Sequence, residues 1–129
     1  MIASMDCVSI YKCLADETRL RILNLLRSGP LCVCHVQAAL ELTQSNVSKQ
    51  LSHLKRHGLL RSRRHNNWTI YELAPDASPI ASSNLQQLSS TCFRQSPYRE
   101  DAQRLGKIDT SVACQPQPIA TCCDAETTC

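Results

Sequence analysis

Apolar positions recur at helical spacing along the first half of this chain, give way to alternation, and then return to helical spacing. Residues 6–14 (DCVSIYKCL) predict a first helix capped by Asp6, with Val8, Ile10, Tyr11 and Leu14 as its apolar positions. Asp16 can cap a second helix and Glu17 favours its start. Leu20, Ile22, Leu23, Leu25 and Leu26 then form a broad apolar face before Gly29-Pro30 stops it, which predicts a core helix. Val33, Val36, Ala39 and Leu40 predict a short helix from Cys32 to Leu40. After a brief turn, Thr43 or Ser45 caps a helix reaching His57, with Val47, Leu51 and Leu54 facing inward and Gly58 ending it. Two helices joined by a tight turn, the second hydroxyl-capped and polar on its outer face, form the helix-turn-helix pattern.

Residues 59–64 (LLRSRR) and 68–73 (WTIYEL) alternate apolar and polar positions around a turn-forming His65-Asn66-Asn67. A β-hairpin in that place would be a wing. Pro75 and Pro79 then interrupt the chain. Leu85 and Leu88 predict a helix over 80–92, continued irregularly from Tyr98 to Ile108, and a last helix with few core partners of its own suits a dimer surface. The predicted class is mainly α with a β-hairpin, a homodimeric winged helix-turn-helix. Residues 1–108 form the DNA-binding and dimerisation domain. Residues 109–129 turn to Thr, Ala, Pro, Gln and Cys without apolar periodicity and are expected to be a flexible, cysteine-rich tail.

Composition sharpens this picture only in places. The chain has 129 residues, and its hydrophobic fraction of 43% against 4% aromatic calls for a core of Leu, Ile, Val and Ala. A net charge of +3 does not by itself announce a nucleic-acid binder. Its placement does more, because Lys49, Lys55, Arg56, Arg61, Arg63 and Arg64 fall in a stretch without a single acid. Gln44, Ser45, Ser48 and Lys49 would lie in the first turns of the recognition helix, where base edges are read. Lys49, His53, Arg56, Arg63 and Arg64 suit the phosphate backbone. The expected partner is double-stranded operator DNA.

Nine cysteines stand in a chain with no secretion signal in its first residues and no apolar run long enough to cross a membrane. That points to a cytoplasmic protein without membrane association, whose clustered thiols serve metals or redox chemistry rather than structural disulfides. No βαβ framework, C-x-x-C or anion-binding loop supports an enzyme.

The segments ADETRLRIL at 15–23, LCVC at 31–34, TQSNVSKQLSHLKRHGLL at 43–60 and the hairpin ending in WTIYEL resemble the arsenic- and metal-sensing ArsR/SmtB repressors. The resemblance covers roughly the first three quarters of the chain. It implies a winged-helix homodimer that sits on an operator and lets go when arsenite or antimonite binds Cys32 and Cys34, the pair matching the family's thiol box. Soft thiolates also suit cadmium, zinc or lead, and a thiol redox switch on the same fold is the other reading left open. Where the family's box usually carries an acid after its second cysteine, His35 stands here, and Gln37 takes the place of a third cysteine. His35 is expected to face solvent. Trivalent arsenic takes three thiolates, so a third ligand is needed, and Cys122, Cys123, Cys114 and Cys7 remain the candidates, with Cys13 and Cys92 behind them. Residues two apart on a helix point about 200° away from each other, so a C-x-C pair on one helix could grip one ion only by unwinding its start.

Overall fold

The computed structural model describes residues 7–109. Helices α1 (Cys7–Leu14), α2 (Glu17–Leu26), α3 (Val33–Leu40) and α4 (Gln44–Arg56) come first, with a two-residue strand β1 (Leu31–Cys32) between α2 and α3. Strands β2 (Leu60–His65) and β3 (Trp68–Leu73) follow, then α5 (Pro79–Ser89), a 3₁₀ turn over Cys92–Arg94, and α6 (Tyr98–Gly106). Beyond Asp109 the expected tail, with Cys114, Cys122, Cys123 and Cys129, lies outside the described residues, as does Asp6.

Local chemistry sets most of these boundaries. The Asp16 carboxylate accepts the Arg19 backbone N–H at 3.0 Å and starts α2, while the Thr43 hydroxyl accepts from Asn46 at 3.2 Å and starts α4. Gly58, at φ +80°, takes the left-handed turn after α4 that a side chain would resist. Ile22, Leu23, Val36, Val47, Leu51 and Leu54 are fully buried, so the inner faces of α2, α3 and α4 share one core.

The first strand of the hairpin lies one residue later than the sequence expectation, and the second falls where expected. His65 pairs with Trp68 and Leu60 with Leu73 across a turn of Asn66 and Asn67, with Asn66 at φ 60°. A third strand was not anticipated. Leu31 and Cys32 pair with Tyr71 and Ile70, giving an antiparallel sheet in the order β1-β3-β2. Two residues carry no readable alternation, so only the docking of the hairpin reveals them as a strand.

The last helix is also different from expectation. α6 packs on α2 and α3, and its Asp101 is fully buried, taking a two-pronged ion pair from Arg21 (2.8 Å on each oxygen) and another from Arg104 at 2.7 Å. The same arginines donate to the last carbonyls of α3, Arg104 to Ala39 at 2.6 Å and Arg21 to Leu40 at 3.2 Å. A helix held this way has core partners of its own. Among the described residues the large apolar side chains left exposed are instead on α1, where Val8 is 61% and Tyr11 52% exposed. Both were counted among the apolar positions of the first helix, of which Ile10 and Leu14 are the buried ones.

Candidate thiol site and nucleic-acid interface

Cys32 and Cys34 do not share a helix. Cys32 is in extended backbone (φ −84°, ψ 164°), is buried, and caps α3 from the end of β1, whereas Cys34 sits half-buried in the first turn of α3. The helical-phase argument against a common ligand therefore does not apply to this pair. A different obstacle replaces it, because Cys32 is pinned by backbone pairing to Ile70 and by the capping box it forms with His35. The Cys32 backbone N–H donates to Nδ1 of His35 at 3.3 Å. His35 is thus buried rather than solvent-facing, and its Nδ1 is committed to that contact.

Cys7, Cys13, Cys32 and Cys92 are outside any disulfide, and the sulfur of Cys34 is disulfide-bonded. Cys7 and Cys92 are exposed; Cys13 is buried in α1, where desolvation raises its thiol pKa against the opposing charge of Arg19. Among the third-ligand candidates, only Cys7 and the two held in reserve, Cys13 and Cys92, fall within the described residues.

The polar residues expected at DNA lie on α4 and on β2, two elements in contact with each other. Ser45, Lys49 and Arg56 are exposed along α4, with Gln44 and Ser48 half-exposed beside them, and Arg63 and Arg64 are exposed on β2. Arg61 pairs with Glu72 at 2.6 Å and Arg63 lies 3.9 Å from the same carboxylate. His53 behaves differently from the rest of this set. Its Nε2 faces back to α1, 3.8 Å from the Cys13 sulfur, while Arg56 approaches its Nδ1 at 3.4 Å. Desolvation first, then the nearby charges of Arg19, His57 and Arg56, lower the His53 pKa, with Asp16 opposing. On the wing side, Tyr71 of β3 hydrogen-bonds Ser52 of α4, and burial raises its phenol pKa.

Residues 16–62 match the family model described as the bacterial regulatory protein, arsR family. Over 114 residues the chain is 36% identical to the arsenic resistance transcriptional regulator ArsR1 of Pseudomonas putida, covering 88% of this chain and 84% of that one. The chain belongs to the ArsR family. Solved structures agree with the winged-helix architecture. HlyU from Vibrio cholerae superposes with a TM-score of 0.60 at 32% identity, covering 68% of this chain and 91% of that one. The AntR antimony-specific transcriptional repressor gives 0.55 at 35% identity, with 68% and 80% covered. This ArsR-family chain is accordingly a transcriptional regulator with a helix-turn-helix formed by α3 and α4, and no helix among its described residues is long and apolar enough to cross a membrane.

Sequence reasoning missed two contributions to this region. Strand β1 places Cys32 on the wing sheet, and Cys13, read as a small buried residue, stands beside two histidines of the recognition helix. The four-residue spacing of His53 and His57 was visible, but nothing local could say that α1 would cross there.

Proposed function

We propose that this chain is an operator-binding repressor, working as a homodimer, that releases DNA when arsenite or antimonite is captured by the thiolates of Cys32, Cys34 and a third cysteine. The observation that carries this reading is the place of the pair: Cys32 ends a strand of the wing sheet and Cys34 begins the first helix of the helix-turn-helix. An ion that draws the two sulfurs together pulls on both DNA-contacting units at their joint. Cys32 must leave its buried position to do so, which strains its pairing with Ile70 and its capping of α3. α3 packs directly on α4, so the recognition helix feels that shift. Thiolate donors select arsenite, antimonite, cadmium, zinc or lead over oxygen-seeking ions, and the relatives named for arsenic and antimony favour the trivalent metalloids. Cys34 must be reduced before it can ligate.

In the DNA complex Gln44, Ser45, Ser48 and Lys49 enter the major groove, and Arg56, Arg63 and Arg64 hold phosphates. His53, turned toward α1, is left out of the contact set.

Fluorescence anisotropy on operator DNA under reducing conditions tests the reading. Arsenite or antimonite should release the wild-type chain and leave Cys32→Ser/Cys34→Ser bound. Retained sensitivity in that double variant would refute the assignment. Single serine substitutions at Cys7, Cys114, Cys122 and Cys123 then locate the third ligand by which one abolishes release. The disulfide at Cys34 favours a second reading, a thiol redox switch on the same fold, which release by peroxide but not by arsenite would select.

A further inference from the structure

Away from Cys32 and Cys34, the end of α1 and the end of α4 meet at a second set of donors. Cys13, 1% exposed, is in the last turn of α1; His53 is in the last turn of α4, and His57 is its C-cap. One ligand atom from each of the three lies within 4.8 Å of the others. We infer that Cys13, His53 and His57 form a binding site for a divalent ion of borderline softness, with zinc the best match, which clamps α1 to the recognition helix.

The geometry is close to what such an ion needs. Zinc bonds of ordinary length to sulfur and imidazole nitrogen in a tetrahedron place those two donors about 3.5 Å apart. The Cys13 sulfur and His53 Nε2 are already 3.8 Å apart. The two imidazoles stand with centroids 4.4 Å apart and planes tilted by 34°, which lets them converge from one side. Nδ1 of His57 lies 2.9 Å from the His53 carbonyl, and donating its proton there leaves the Nε2 lone pair for a ligand. Such a carbonyl contact is how ligating histidines are commonly oriented. At His53 the proton must move to Nδ1, displacing the long and exposed contact from Arg56.

The backbone around the donors is already held. Arg19 of α2 donates to the carbonyl of Cys13 at 2.8 Å, to that of Lys12 at 3.0 Å, and to the Gln50 side chain of α4 at 3.1 Å. One guanidinium thereby ties α1, α2 and α4 together around the site. Its charge favours the Cys13 thiolate and disfavours the cation, as does that of Arg56, while Asp16 works the other way. One thiolate and two neutral imidazoles supply three donors and leave a fourth position for water, so the site is an open one. Its donors and helices are distinct from those of the Cys32–Cys34 pair, and the two sites can fail independently.

The test uses the full-length reduced chain with Cys32, Cys34, Cys114, Cys122, Cys123 and Cys129 replaced by serine, and cobalt(II) as the optical probe for zinc. One equivalent of cobalt should bind, giving a thiolate-to-metal band in the near ultraviolet and the intense visible bands of four-coordination. His53→Gln and His57→Gln should each abolish those visible bands, and Cys13→Ser should remove the thiolate band. Absence of cobalt binding in the parent, or an unchanged spectrum in either histidine variant, overturns the site. Since both histidines are only half-buried, their variants should fold, and circular dichroism confirms it. As an independent reading, zinc should raise the Tm of the parent and not of the histidine variants; equal shifts in all three overturn the proposal.

Discussion

Asp101 shows what a single residue does for this fold. Its carboxylate is fully buried and is neutralised by Arg21 and Arg104, each of which also donates to a carbonyl at the end of α3. Removing one partner of a buried pair leaves the other charges unmatched, at a cost of about 3 kcal/mol. Asp101→Ala should therefore lower the urea midpoint by that equivalent with an unchanged slope, and an unaltered midpoint would count against the role given to it. His53 makes a smaller, pH-dependent contribution. Burial, and then the charges of Arg19, His57 and Arg56, hold the folded imidazole below the ordinary histidine range, so the unfolded chain takes the proton first as pH falls through that range. Stability is lost from there down to the lower folded pKa. His53→Gln should show a smaller loss of stability over that window than the wild type, measured by urea unfolding in metal-free buffer. At this scale Cys32, Cys34 and the proposed recognition residues could be named from the sequence because their residue types announce their chemistry. The burial of His35 was not, since a polar ring in the first turn of a helix looks solvent-facing until a cap is seen to use it.

The proposed DNA contacts fall on two elements. The first turns of α4 carry Gln44, which can read adenine with two hydrogen bonds, whereas β2 carries Arg63 as a point of positive charge. Gln44→Ala should relax preference at one base pair, by about 1–3 kcal/mol, with little effect on random DNA. Arg63→Ala should weaken operator and random DNA alike and reduce the salt slope by about one. Anisotropy titrations on both DNAs at several salt concentrations measure this, and equal losses on both for Gln44→Ala would contradict base reading. The helices of this region were legible from caps and apolar period. The strand β1 was not, because two residues become a strand only when β3 offers them partners.

At the scale of the molecule, α6 is consumed by the core, and among the described residues the large apolar side chains left exposed are Val8 and Tyr11 of α1, with Tyr11 accepting a hydrogen bond from Asn84 of α5. That moves the proposed dimer surface from the last helix to α1 and its neighbour α5. Val8→Glu/Tyr11→Glu should convert the dimer to a monomer in sedimentation analysis and weaken operator binding with it, while helical content stays unchanged. Dimers persisting in that variant would place the interface elsewhere.

The order and type of nearly every element, the helix-turn-helix, the basic stretch beside it and the C-x-C thiols were determined by the sequence alone, because caps, periodicity and residue chemistry act over a few neighbouring positions. Tertiary structure decided what depends on contacts between distant segments: Cys32 on the wing sheet through Ile70, α6 held at the core by Asp101, and Cys13 brought beside His53 and His57. Those pairings are chosen by how whole faces pack, and no local pattern encodes them.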